Sequence, residues 1–210
     1  MLDVVQQLLL MLRGLSNTLF ISIFSLLLGL AIGLLLAFVR VYGSKPFQVL
    51  VDIYEKVFRG IPELVLMFLF FFGIGAYVRF PFKDAFLTAT LVLGLRSAAN
   101  QSQIFRGAIR GIGEEQMVAA RSLGLSRLKS ILYVMIPQVF IFSTPGLGSE
   151  YALLVKDSSY SYLIGALEIM ESTDEVRKAV GNNTPYFLSA ILYILLTFPI
   201  ATWLDTWGSR

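Results

Sequence analysis

Residues 114–127 read EEQMVAARSLGLSR, from Glu114 to Arg127. The chain on both sides is apolar enough to live in lipid, so a short, charged, alanine-rich stretch needs a reason to be there. Its pattern predicts two to three turns of helix from Glu115 to Leu123. Acidic residues stand at the start and Arg121 near the end, as the helix dipole favours. Gly124 sits where a helix-terminating glycine belongs, and Ser126 is placed to cap a following helix. Met117, Ala120 and Leu123 are spaced to fall on one side. Ala119, Ala120 and Gly124 are small enough to let another backbone approach.

The surroundings define the class. The chain has 210 residues, 56% of them hydrophobic and only 15% charged, against about 25% charged in soluble domains. Mean hydropathy is +0.74. This is an integral membrane protein, with length for one domain of about five spans at roughly 20 apolar residues each. It contains no Cys and no His. Disulfides, Cys/His metal sites, histidine acid-base chemistry and cysteine nucleophiles are therefore excluded. The net charge of +3 reports loop topology rather than nucleic-acid binding. The N-terminal MLDVVQQLLLMLRGL carries Asp3 early and Arg13 late, without a small-residue cleavage site, and does not read as a signal peptide.

The spans are expected near 14–40, 50–78, 85–108, 131–154 and 185–207. The second is interrupted at Arg59-Gly60-Ile61-Pro62-Glu63, where the proline restricts Ile61 and removes a donor. The third carries Arg96. The fourth contains Pro137, Pro145, Gly146 and Gly148, and Pro145-Gly146-Leu147-Gly148-Ser149-Glu150 is expected to break it. The fifth is closed by Asp205 and by Trp203 and Trp207. With the N-terminus outside, ten basic residues face the cytoplasm (Arg40, Lys45, Lys56, Arg59, Arg106, Arg110, Arg121, Arg127, Lys129, Arg210) and six face outward (Arg13, Arg79, Lys83, Lys156, Arg177, Lys178). That excess favours N-outside, C-inside. It puts 114–127 in the cytoplasm, and the polar segment between Asp157 and Thr184 outside as a loop.

On pattern alone, 114–127 is either a connector on the membrane surface or a docking helix for a partner. Five motifs in order decide the reading. They are Arg59-Gly60-Ile61-Pro62, Phe105-Arg106-Gly107-Ala108-Ile109, Glu115-Gln116-Met117-Val118-Ala119-Ala120-Arg121-Ser122-Leu123-Gly124, Val134-Met135-Ile136-Pro137-Gln138 and Lys156-Asp157-Ser158-Ser159. Together they resemble the membrane subunit of the polar amino-acid class of ATP-binding-cassette (ABC) importers. The resemblance implies an all-α membrane protein with the type I importer permease fold. In that fold a cytoplasmic coupling helix, about 114–125, lies between spans three and four. Glu115, Ala119, Ala120, Arg121, Leu123 and Gly124 are then the residues expected to meet the ATPase. Val118 departs from the family, which has Glu there; Asn100 stands for an expected Tyr and Gln103 for an expected Glu.

The chain has no phosphate-binding loop of the G-x-x-x-x-G-K-(S/T) type. The resemblance therefore implies no cofactor here, with ATP and Mg held by a separate ATPase subunit. The other implied partners are a second permease subunit, identical or related, and an extracytoplasmic solute-binding protein. The substrate site is expected at Glu150, Asp157, Ser149, Leu147 and Arg96. Intramembrane polar groups are costly and mark pathways, and a broken helix at membrane depth can offer free backbone groups to a zwitterion. Glu150 and Asp157, seven residues apart, can share a helical face; two carboxylates there suit a cationic amino acid. The plainer alternatives are that Arg96 is a structural pair, that Asp157 pairs with Lys156, and that Glu150 is interfacial. Other whole-protein readings are an ion- or proton-coupled secondary transporter, a non-transporting scaffold or channel subunit, and an intramembrane enzyme. The last lacks any nucleophile–base pair.

Overall fold

The computed structural model describes residues 3–208. Arg210, counted above on the cytoplasmic side, lies outside them, and so do the side chains of Asp205 and Trp207 at the end of span five. Among the described residues the secondary structure is entirely helical.

Helix α1 (Val4–Met11) opens with a capping box: the Asp3 carboxylate accepts from the Gln6 N–H (2.7 Å) while the Gln6 side chain accepts from the Asp3 N–H (3.1 Å). A single 3₁₀ turn, Leu12–Gly14, leads into α2 (Leu15–Tyr42). The first apolar element is thus 39 residues, Val4–Tyr42, rather than one beginning at Gly14. Arg13 does not interrupt it because its side chain is exposed at that turn.

Helix α3 (Lys45–Gly60) places Pro46 in its first turn, where a missing N–H costs nothing. It stops at Ile61-Pro62, and the chain turns by 102° into the segment Glu63–Tyr77. That segment is α4 (Glu63–Phe68), a π-helical stretch (Leu69–Ile74) and a last turn, α5 (Gly75–Tyr77). The expected second span is therefore a sharply bent pair. Helix α6 (Ala85–Ile112), capped by the Asp84 carboxylate on the Leu87 N–H (2.8 Å), runs parallel to α2. The α2 face against it is small and weakly polar: Thr18, Ser22, Ser25, Gly29, Gly33 and Ala37 are all buried at helical spacing. Small residues let the backbones approach closely in lipid. Ser25 then donates to the Thr90 carbonyl (2.9 Å), and Gln101 to the Leu26 carbonyl (3.0 Å).

After α7 (Glu114–Ser122) and α8 (Arg127–Ser130), a π-helical turn (Ile131–Met135) feeds α9 (Ile136–Asp157), antiparallel to α6. A 3₁₀ stretch (Ser158–Ile164), α10 (Ile169–Val180) and α11 (Thr184–Gly208) complete the chain. Two expectations fail here. Helix α9 runs unbroken through Pro145, Gly146 and Gly148, so the expected break at Pro145–Glu150 does not form. Gly146 instead gives Ile104 of α6 room against its backbone; a Cβ there would overlap that side chain. The expected outer loop between Asp157 and Thr184 is also mostly helical. Its α10 is packed beneath α1, with Ile169, Ser172, Thr173 and Val176 buried. By length and composition, Val4–Tyr42 and Arg127–Ile164 can each cross a bilayer, with the bent pair as a third candidate.

Glu168 holds this α1/α10 layer to α11. Its carboxylate caps α10 through the Glu171 N–H (2.8 Å) and accepts the Tyr193 hydroxyl (2.7 Å). Burial pushes its pKa up from 4.5 to about 7. Between those values the folded chain binds more protons than the unfolded one, so stability falls as pH rises through that window. The effect is on the order of 3 kcal/mol across it. Glu168→Gln should keep the bond from the Glu171 N–H, reverse the one to Tyr193 so that the amide N–H donates to the phenol oxygen, and remove this dependence: unfolding temperatures in detergent should match wild type near pH 4.5 and exceed it above pH 7. A constant difference across the range would show that Glu168 does not titrate there.

Candidate functional site

A ladder of charged and amide side chains descends one face of the bundle, between α6, α9 and the bent pair. On α6, Arg96, Asn100, Gln103, Arg106 and Arg110 recur at helical spacing. The top rung joins three elements. Arg96 is within ion-pair distance of Glu63, at the first turn of α4, and of Asp157, at the end of α9 (3.2 Å). All three side chains are largely buried, at 14–21% exposure. One guanidinium against two carboxylates leaves the trio one charge negative. Asp157 thus pairs with Arg96, not with its neighbour Lys156.

The next rung is Glu150. It is buried (3% exposed), and it accepts a hydrogen bond from the Asn100 amide (3.4 Å). Ser97, one turn before Gln101 on α6, accepts from the Gln101 amide (2.9 Å). Asn100 in turn accepts from Arg59 Nε (3.1 Å). Glu150 therefore sits on a neutral donor, without a guanidinium or ammonium within 4 Å among the described residues. The third rung is Glu55 of α3, also buried, which takes Ser102 (2.7 Å), Gln103 and Arg106 (3.2 Å). Beneath it a cavity of about 810 Å³ opens toward the α7 end, lined by Arg40, Lys56, Arg59, Arg106 and Arg110 together with Asp52 and Glu55. Arg40 is paired with Asp52 (2.6 Å).

Of the expected substrate residues, Glu150, Asp157 and Arg96 lie together on this face. Ser149 is exposed on another face of α9, and Leu147 packs into the apolar cluster around Phe105 and Val139. Glu63, Asn100, Glu55 and Arg59 were not singled out as site residues. The signal that could have found the α6 members is their recurrence every three or four residues through an otherwise apolar helix.

Helix α7 is bracketed by two glycines with left-handed backbones, Gly113 (φ +83°) and Gly124 (φ +84°). Gly124 closes a Schellman motif: its N–H donates to the Arg121 carbonyl (3.0 Å) and the Leu125 N–H to the Ala120 carbonyl (3.2 Å). Ser126 then caps α8. The expected common side of Met117, Ala120 and Leu123 does not exist. Met117 and Ala120 pack inward, whereas Leu123 is 86% exposed, because six residues advance a helix by well over half a turn beyond a full one. Ala120 is therefore not on the outer surface; Glu115, Ala119, Arg121, Leu123 and Gly124 are. Arg127 fastens this corner to the end of α2, donating to the Tyr42 carbonyl (3.0 Å) with its guanidinium over the Tyr42 ring.

Comparison with known proteins agrees with this architecture. The family model described as "binding-protein-dependent transport system inner membrane component" matches residues 29–209. The octopine transport system permease protein OccQ of Rhizobium meliloti is 30% identical over 199 residues, covering 90% of this chain and 84% of that protein. The arginine ABC transporter permease protein ArtQ of Haemophilus influenzae is 32% identical over 191 residues, covering 86% and 83%. Among solved structures, an amino acid ABC transporter crystallised with histidines superposes with a TM-score of 0.87 at 27% identity, covering 100% of this chain and 99% of that one. The MetNI methionine ABC transporter, inward facing, shares the fold with a TM-score of 0.80 at 20% identity, covering 95% of each chain.

Proposed function

Since this chain belongs to the inner-membrane components of binding-protein-dependent transport systems, and is the permease subunit of an amino-acid ABC importer, we propose that its substrate is a cationic amino acid held at Glu150. The observation that carries the proposal is a carboxylate that is buried, has no cationic partner among the described residues, and is set on the neutral donor Asn100. A buried charge of this kind is costly alone and gains most from a ligand that brings the opposite charge. The Arg96–Glu63–Asp157 trio just above adds a net negative potential. Arg96 and Asp157 are then the architecture around the substrate, and Glu150 its anchor.

In this reading the chain makes about five spans, with its N-terminus outside and its C-terminus in the cytoplasm. Two permease subunits pair with two ATPases that hold ATP and Mg, and a solute-binding protein delivers substrate from outside. Helix α7 is the coupling helix: its outer surface of Glu115, Ala119, Arg121, Leu123 and Gly124 seats on the ATPase. Met117 and Ala120 pass its movement into the bundle. Alternating access then carries the site from the α1/α10 side to the large cavity at the α7 end.

Glu150→Gln should lower stimulation of ATP hydrolysis by L-arginine at least tenfold in the reconstituted complex, with a smaller loss for L-glutamine. Equal losses for the two would remove Glu150 from side-chain recognition.

A further inference from the structure

Arg59 is the unexplained member of the ladder. Asp52, Glu55, Glu63 and Asp157 each have a guanidinium within 4 Å. Among the described residues Glu150 has none, and Arg59 has no carboxylate within that distance. Yet the two are separated by one amide: Arg59 Nε donates to Asn100 Oδ1 (3.1 Å) and Asn100 Nδ2 to Glu150 Oε1 (3.4 Å). Arg59 also stands at the 102° bend, beside Gly60, around which a Cβ would meet nothing within 4 Å. It lines the large cavity and is exposed to it. A long guanidinium side chain on a bend, with open space on one side and a relay to a lone buried carboxylate on the other, has two places to be.

We propose that Arg59 is a tethered counterion for Glu150, a specificity and release residue that competes with the substrate's cationic group for that carboxylate. The inference rests on the reading of Glu150 as substrate anchor. Leaving a carboxylate buried and uncompensated is strongly unfavourable, so a site with only Glu150 would hold its cation tightly and empty slowly. A resident guanidinium one amide away lowers the cost of the empty site. It weakens cation binding when it swings in. It swings out into the cavity when substrate arrives. The bend at Gly60-Ile61-Pro62 makes this exchange sensitive to the angle between α3 and α4, so a change in that angle on inward opening would drive Arg59 toward Glu150 and the substrate away.

The test is equilibrium binding of radiolabelled L-arginine and L-glutamine to the full chain in complex with its ATPase. Arg59→Gln should tighten L-arginine binding about tenfold and leave L-glutamine unchanged, while slowing L-arginine turnover. Arg59→Lys, which keeps a tethered cation, should behave as wild type. Adding Glu150→Gln to Arg59→Gln should cancel the gain. If Glu150→Gln alone weakens L-arginine binding but Arg59→Gln leaves it unchanged or weaker, the counterion role is wrong and the anchor stands. Tightening in Arg59→Lys equal to that in Arg59→Gln also overturns it. If Glu150→Gln leaves L-arginine binding intact, the anchor itself is wrong.

Discussion

Replacing Gly124 with aspartate should leave a folded, membrane-inserted chain whose complex no longer couples substrate to ATP hydrolysis, with stimulated turnover down a hundredfold or more. Two costs arise at this position. Gly124 has φ +84°, where an ordinary L-residue loses about 1–2 kcal/mol, a sum the bundle can absorb. A Cβ there meets nothing within 4 Å in this chain, so a side chain points into the space where the ATPase would seat. The second effect is the larger, and a series separates the two. Asparagine tolerates the left-handed backbone but adds bulk; alanine strains the backbone with little bulk. Loss in Asp and Asn but not in Ala marks a steric contact with the partner. Loss in Ala alone marks helix termination instead. Stimulated hydrolysis at wild-type level in Gly124→Asp would end the coupling-helix reading of α7.

Arg96→Leu should cost the permease about 3 kcal/mol or more of stability, because it strands two buried carboxylates, Glu63 and Asp157. For a chain of this size that corresponds to an unfolding temperature lower by about 10 °C. The cause can be isolated by neutralising the stranded groups. Arg96→Leu combined with Glu63→Gln and Asp157→Asn should recover most of the loss, since amides carry no uncompensated charge. An Arg96→Leu variant within about 2 °C of wild type would show that the trio does not bind α4, α6 and α9 together. An unrecovered triple variant would put the loss down to packing instead.

The turn at Pro62 and the bounds of α7 were legible because helix punctuation acts locally. Pro62, Gly124 and Ser126 end or start helices by their own local chemistry, and each does so here. Pro145 misled because its reputation comes from water. In lipid a melted turn has no solvent to satisfy its backbone, so the helix continues past one missing donor. The π-helical turn at Ile131–Met135 gave no such local signal. Arg13 misled in the same way, since a charge marks a span's end only if its side chain must be buried. The site was half legible. Glu150, Asp157 and Arg96 stood out as charges in apolar runs, but their partners lie 33 to 61 residues away in sequence. Which charge is neutralised and which is left bare is a property of the packed bundle alone.

The 39-residue element from Val4 to Tyr42 extends about 58 Å at 1.5 Å per residue, nearly twice the roughly 30 Å of hydrocarbon it meets. Tilt of the usual size does not absorb that excess. Its first three turns still expose Val4, Val5 and Leu9, so this end is apolar where it should be leaving the oil. A surplus of that length reaches past the hydrocarbon, and at the α1 end it packs against α10. A thicker membrane would swallow the overhang and a thinner one would lift it, and either would load the contacts that α1 makes with α10 and α11.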